Sequence, residues 1–214
     1  MGSFITLEGP DGSGKTTQAH LLVEWLRDEG YDALLTREPG GSDIGDQIRD
    51  VLHDSANAAM TARAEFLLYS ASRAQHVSRL ILPSLAAGRI VISDRYADSS
   101  LAYQGYGRGL DLETLKTVTA FATQGLIPDL TLYFDIAAGE GLQRRFLSGE
   151  TWNRMDAEAL AFHRRVRAGY LELAKAEPAR WAVVDANRRI GEVQRDVRDL
   201  VKAQLEADRY DDSP

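Results

Sequence analysis

Apolar positions along the 214-residue chain gather into five short runs: "FITLE" (4–8), "DALLT" (32–36), "RIVIS" (89–93), "DLTLYFD" (129–135) and "RWAVVD" (180–185). Runs this short and this rich in β-branched and aromatic residues predict strands. Between them the apolar positions recur at helical spacing, as Ala19, Leu22, Val23 and Leu26 do behind the first run. Further helical stretches are expected at about 43–53, 61–86, 111–123, 139–148, 156–176 and 190–206. Strands that alternate with helices predict an α/β fold, a five-stranded parallel sheet flanked by helices. "IVI" and "AVV" are continuously apolar, as burial on both faces of such a sheet requires. No repeat, low-complexity segment or linker interrupts the pattern, so residues 1–207 read as one domain. The tail "ADRYDDSP" is polar and acidic, and 208–214 are expected to fray.

Composition narrows the function more than the fold. Apolar content of 44% and charged content of 27% belong to an ordinary globular protein. A net charge of −7 argues against coating nucleic acid, while leaving room for a local basic pocket. The chain has no cysteine, which excludes disulfides and thiolate metal sites and fits a cytoplasmic setting. No apolar run is long enough to span a membrane. "MGSFIT" matches the myristoylation pattern through Gly2 and Thr6. Anchoring is not expected, because Phe4–Leu7 already reads as the first core strand.

The first chemistry lies directly behind that strand. Gly9, Gly14, Lys15 and Thr16 of "GPDGSGKT" complete the pattern G-x-x-x-x-G-K-[ST] between a strand and a helix. Glycines let successive N–H groups turn into one concavity that suits a phosphate, and the helix N-terminus adds partial positive charge. Lys15 is expected on the β- and γ-phosphates of a nucleotide and Thr16 on Mg²⁺.

In a parallel α/β sheet the ligand lies beyond the carboxyl ends of the strands. There the chain carries "REPGG", "DRYADSS", "DIAAGEG" and "DANRR". Asp94 can hold Mg²⁺ through water or bond Lys15. Arg95 can clamp a phosphate, because its planar fork matches phosphate oxygens, or form a strand-end salt bridge with Asp94. Ser99, Ser100, Tyr103 and Gln104 offer polar groups for a base edge, before a glycine-broken loop from Gly105 to Gly109. Arg37 and Glu38 follow the second strand, and Pro39-Gly40-Gly41 makes a rigid turn. Tyr69 and Arg73 stand at i,i+4 on one helix face, suited to a base and its phosphate. Taken alone they read rather as a core tyrosine and a solvated arginine.

Residues 143–170 hold Arg144, Arg145, Arg154, Arg164, Arg165 and Arg167, with a helix break expected between Leu147 and Asn153. A mobile arginine-bearing lid, about 143–155, suits phosphoryl transfer, because it brings positive charge to the γ-phosphoryl oxygens as water is expelled. Arg154, beside the break, is the foremost candidate. Arg144 and Arg145 come next.

Together, "EGPDGSGKTT", "TREPGG", "DRYADSSLAYQG" and "GLQRRFLSGETWNR" resemble the thymidylate kinases, in family order from residue 5 to about 187. The resemblance implies a P-loop nucleoside monophosphate kinase fold with a lid, ATP-dependent phosphorylation of dTMP for dTTP supply, Mg²⁺ as cofactor and a homodimer packed through long helices. It implies ATP contacts at Gly9, Pro10, Asp11, Gly12, Ser13, Gly14, Lys15, Thr16 and Thr17, with Asn187 near adenine. It implies dTMP contacts at Asp11, Arg37, Pro39, Tyr69, Arg73, Arg95, Ser100, Tyr103 and Gln104, with Thr16 and Asp94 at the metal. Tyr69 falls where thymine is stacked, Arg73 and Ser100 where the base edge is read, and Tyr103 where the sugar is checked. Catalysis is expected from Lys15, Arg95, Arg154 and Arg145. Asp11-Gly12-Ser13 carries no arginine, so the chain resembles the branch with arginines in the lid.

Two other readings are open to the sequence. A deoxynucleoside kinase such as a thymidine kinase phosphorylates a neutral hydroxyl and needs a carboxylate base, for which Glu38 is available. A nucleotide switch would hydrolyse nucleotide to drive a partner, but the chain has no N-K-x-D guanine-reading motif.

Overall fold

In the computed structural model, residues 2–147, 149 and 153–211 are described, the side chains of 208–211 excepted. The five apolar runs form β1 (Phe4–Glu8), β2 (Ala33–Arg37), β3 (Ile90–Asp94), β4 (Leu130–Asp135) and β5 (Trp181–Asp185). They pair in parallel in the order β2-β3-β1-β4-β5. β1 therefore lies at the centre, and the loop behind it opens where the connections diverge to the two sides, the usual place for a ligand in an open α/β sheet.

The helices are α1 (Lys15–Asp28), α2 (Asp43–His53), α3 (Ala62–His76), α4 (Leu82–Ala86), α5 (Ala97–Ser100), α6 (Leu112–Thr123), α7 (Ala138–Leu147), α8 (Leu160–Ala176) and α9 (Ile190–Asp211). Strand alternation divides the core. Ile5, Leu7, Ile92 and Leu132 meet Leu22 and Leu26 of α1 and Val197 and Val201 of α9. On the other face Tyr133 packs with Val166 and Tyr170 of α8, and Phe4 and Val91 pack with Val77, Ile81 and Tyr96. Each such side chain contributes about 2 kcal/mol on burial.

Four segments differ from expectation. A single π-helical turn, Val77–Ile81, joins α3 to α4. Residues 101–109 are not a glycine-broken loop: α5 continues into a π-helix over Leu101–Gly107. Its Gly107 allows close packing, since a Cβ there would stand 2.6 Å from the Phe162 ring of α8. π-turns of this kind often mark functional sites. At the C-terminus α9 continues to Asp211, into the segment expected to fray. The expected lid break over 147–153 falls largely outside the described residues, and α8 starts at Leu160 rather than 156. Residues 212–214 of the tail also lie outside them.

Candidate active site

Every strand ends in a charged residue: Glu8, Arg37, Asp94, Asp135 and Asp185. Parallel pairing puts all five at one edge of the sheet. Asp135 is bound there by Arg167 at 2.7 and 2.8 Å, and Asp185 accepts from the Asn187 backbone N–H at 2.9 Å. Neither lines the cavity described next. The other three border a cavity of about 510 Å³ or support its walls.

One end of the cavity is the phosphate loop. Lys15 Nζ folds back to donate to the Pro10 carbonyl at 2.8 Å and to Ser13 Oγ at 3.4 Å. Gly14 caps α1 in the left-handed region at φ 89°. Gly12, at φ 76°, lies against α7, where a Cβ would come within 2.0 Å of the Gly141 carbonyl oxygen. A side chain at that position would push the loop off α7. Thr16 Oγ1 donates to Asp94 Oδ2 at 2.6 Å, tying the start of α1 to the end of β3. This hydroxyl–carboxylate pair supplies hard oxygens and fits Mg²⁺, which protein carboxylates and substrate phosphates commonly share. No cluster of three or more metal-ligating side chains exists among the described residues.

The opposite wall is built on Arg95, in the left-handed region at φ 73°. For an arginine this conformation is strained, and surrounding bonds must hold it. Its backbone N–H donates to Leu7 O at 2.9 Å, and the next N–H, of Tyr96, donates to Glu8 Oε1 at 2.8 Å. The guanidinium reaches Asp11 at 2.7 Å, Tyr103 and Ser99 at 3.2 Å and Tyr170 at 3.3 Å. It thus bonds across the cavity to the phosphate loop rather than to its neighbour Asp94. Burial alone would raise the Asp11 carboxyl; Arg95 and Lys15 instead hold it well below the usual range. Burial and the Arg95 charge lower the Lys15 ammonium to about 8.

Glu8 is the functional residue that strand patterning conceals. It sits fully buried behind Arg95 and also accepts from Ser99 Oγ at 2.6 Å and Tyr170 Oη at 2.8 Å. Burial, helped by Asp98, raises its carboxyl to about 7. The one signal in the sequence is a charge closing an otherwise apolar run.

The far end of the cavity is lined by Tyr69, Arg73, Pro39 and Arg37. Arg73 is 1% exposed, not a solvated surface arginine. It donates to Glu38 at 2.7 Å, Ser100 Oγ at 3.0 Å and the Tyr96 carbonyl at 3.0 Å. Tyr69 is half-buried at the cavity wall rather than in the core. Arg49 and His53, one turn apart on α2, join this wall without any signal in the sequence. Burial and Arg49 push the His53 imidazole down to about 4.

The cavity thus unites Asp11, Gly12, Gly14, Lys15, Thr16, Thr17, Arg37, Pro39, Tyr69, Arg73, Asp94, Arg95, Tyr103 and Arg145. Gly9, Pro10 and Ser13 shape the loop from behind, and Ser100 stands behind Arg73. Three expected residues lie elsewhere. Gln104 donates to buried Glu65 at 2.8 Å. Arg154 pairs with the same carboxylate at 2.6 Å and donates to Leu52 O at 3.1 Å. It is 7% exposed and turned from the cavity, which Arg144 and Arg145 border instead. Asn187 lies outside the cavity and accepts from Arg144 at 3.4 Å.

A donor-phosphate loop and an arginine-lined acceptor wall sharing one cavity are the arrangement of a phosphotransferase, and comparison with known proteins agrees. The sequence model described as "Thymidylate kinase" matches residues 7–197. The chain is 49% identical to the thymidylate kinase of Roseiflexus sp. (strain RS-1), over 96% of both chains. It is 46% identical to that of Shouchella clausii (strain KSM-K16), over 95% of this chain and 96% of the relative. The crystal structure of thymidylate kinase from Ehrlichia chaffeensis superposes with a TM-score of 0.77 at 34% identity, covering 94% of this chain and 98% of that one. With near-complete coverage in both directions, the chain belongs to the thymidylate kinase family.

Proposed function

We propose that this ATP-dependent kinase transfers the γ-phosphoryl group of ATP to dTMP by aligning and neutralising two anions, with the roles divided as follows. The observation that carries this reading is the position of Asp11 between Lys15 and Arg95. The donor lysine and the acceptor arginine line the same cavity, and both charges act on this one carboxylate, which Arg95 reaches at 2.7 Å.

Lys15 and the loop N–H groups hold the donor phosphates. Thr16 and Asp94 hold Mg²⁺, which supplies charge neutralisation on those phosphates when bound. Arg95 holds the dTMP phosphate, Arg73 reads the base edge with Ser100 bonded behind it, Tyr69 stacks the base and Tyr103 borders the sugar. A phosphate oxygen of dTMP, ionised at neutral pH, attacks the γ-phosphorus. The bond from that phosphorus to the β,γ-bridging oxygen breaks, ADP leaves, and dTDP forms. No proton is removed from the nucleophile, so alignment and electrostatics carry the rate. Arg145, at the cavity and paired with Asp156 at 3.3 Å, supplies the lid charge together with Arg144. Arg154 is committed to Glu65 and does not.

A nucleoside acceptor would require a free carboxylate base. Glu38 is bonded to Arg73 and His76, and these partners, against the effect of burial, hold its carboxyl below the usual range. We also propose a cytoplasmic homodimer. Ile44 and Val51 of α2, Leu67 of α3 and Phe121 of α6 are exposed on neighbouring helices, the kind of apolar surface that protein interfaces cover. No helix among the described residues is long and apolar enough to cross a membrane.

The test is ADP release from Mg·ATP with dTMP, dUMP, thymidine, dCMP or no acceptor. Turnover with dTMP is expected to exceed every other condition. Turnover with thymidine but not dTMP would refute the assignment.

A further inference from the structure

Behind the base-reading end of the cavity lies a buried chain of polar side chains that runs away from the ligand. Arg73 Nε donates to Glu38 Oε2 at 2.7 Å. The other carboxylate oxygen, Oε1, lies 3.0 Å from His76 Nδ1. His76 Nε2 lies 2.7 Å from Thr36 Oγ1. Arg73, Glu38 and His76 are 1%, 4% and 0% exposed. A carboxylate only accepts hydrogen bonds, so Nδ1 carries the proton toward Glu38. Nε2 is bonded to the Thr36 hydroxyl, which can either donate or accept there. Every polar atom of the imidazole is then used, and both carboxylate oxygens are occupied.

The consequence appears at Arg73. Of the five N–H groups of a guanidinium, Nε–H goes to Glu38, one on Nη1 to Ser100 and one on Nη2 to the Tyr96 carbonyl. One N–H on each Nη is not taken by these three partners, and Arg73 lines the cavity. Which way that pair faces depends on the angle at which Glu38 grips Nε, and a carboxylate held on one side only can rotate. His76 holds the other side. It also carries the turn between β2 and α2, because a Cβ on Gly41 would stand 2.6 Å from its ring. One imidazole therefore touches both the carboxylate that holds Arg73 and the turn that follows Pro39.

We propose that His76 is a positioning residue for acceptor-base recognition: through Glu38 it sets the donor pair of Arg73 against a base carbonyl, and so sustains the preference for a 4-oxo over a 4-amino pyrimidine nucleotide. A guanidinium has donors and no acceptor, so a correctly aimed Arg73 rewards a carbonyl and leaves an exocyclic amine facing another donor. A swinging Arg73 loses that contrast. The inference rests on dTMP being the acceptor.

The test compares wild type, His76→Leu, His76→Asn and Thr36→Val in the full-length enzyme with Mg·ATP. His76→Leu removes the donor, and His76→Asn restores one near the position of Nδ1. For His76→Leu, KM for dTMP is expected to rise about tenfold with KM for ATP unchanged. The dTMP-to-dCMP ratio of kcat/KM is expected to narrow about tenfold, with most of it recovered in His76→Asn. Thr36→Val, nearly isosteric, should narrow the ratio less, in the same direction. An unchanged ratio in His76→Leu, or a lowered Tm with equal loss toward both acceptors, would overturn the proposal and leave a purely structural histidine. Should His76→Leu not fold, an unchanged ratio in both His76→Asn and Thr36→Val overturns it equally. A wild-type enzyme without preference for dTMP would instead refute the underlying assignment, so the two failures are separable.

Discussion

Arg95 has the most constrained geometry of any side chain in the cavity. A left-handed backbone, bonds to Asp11, Tyr103, Ser99 and Tyr170, and the buried carboxylate of Glu8 behind it leave it a single orientation. Arg95→Ala is expected to lower kcat/KM for dTMP by about a hundredfold or more, the scale of a lost transition-state contact, with Tm little changed; steady-state kinetics and calorimetry check both. Glu8 has a second consequence. Its carboxyl is raised from an ordinary value of 4.5 to about 7. Between those values the native state holds a proton that the unfolded state has lost, so stability falls as pH rises through the window, by on the order of 3 kcal/mol in total. His53, lowered to about 4, works in the opposite direction over part of the same range. The Glu8 contribution is therefore read as the difference between wild type and Glu8→Gln. In Tm measured from pH 4.5 to 8, wild type should lose stability relative to the variant as pH increases. Parallel curves would refute the raised carboxyl.

At the scale of elements, the segment around Arg154 is fastened to α3 and to the π-helix by one buried carboxylate. Glu65 meets Arg154 at 2.6 Å, Arg108 at 3.0 Å and Gln104 at 2.8 Å. Two arginines in neighbouring segments thus have opposite roles: Arg145 borders the cavity and Arg154 clasps. Removing one partner of a buried ion pair costs about 3 kcal/mol or more; because Glu65 keeps Arg108 and Gln104, Arg154→Met is expected to lose rather less. Its Tm should fall while kcat stays within a few-fold of wild type. Arg145→Ala leaves Asp156 without its arginine and should also lower Tm, but unlike Arg154→Met it should lose about a hundredfold in kcat. Kinetics paired with thermal unfolding would expose an exchange of these roles. Nothing in the local sequence separates the two residues, since both are arginines flanking the same break. Their difference comes from Glu65, about ninety residues upstream on another helix. The π-helix carries the same lesson: Gly105 and Gly107 suggest a loop, yet Gly107 is small because α8 presses against it.

For the whole molecule, the exposed apolar side chains of α2, α3 and α6 predict self-association. Light scattering behind size-exclusion chromatography is expected to give twice the chain mass, and Phe121→Asp with Leu67→Asp to give a monomer. A wild-type monomer at micromolar concentration would refute the dimer. Five strands, a parallel sheet and the phosphate loop were readable from the chain, because strand and helix periods, β-branched runs and glycine-lysine spacing are local properties that neighbouring residues determine; the strand order was not. The presence of charge at every strand end was readable as well, but not its purpose. Tertiary structure decided that Asp135 pairs with Arg167, that Arg73 is buried rather than solvated, that Arg154 and Gln104 bond Glu65, and that Glu8 and His76 stand behind Arg95 and Arg73. The physical reason is common to all of them: a charged side chain takes its role from the partner that satisfies it, and that partner usually lies tens of residues away on another element.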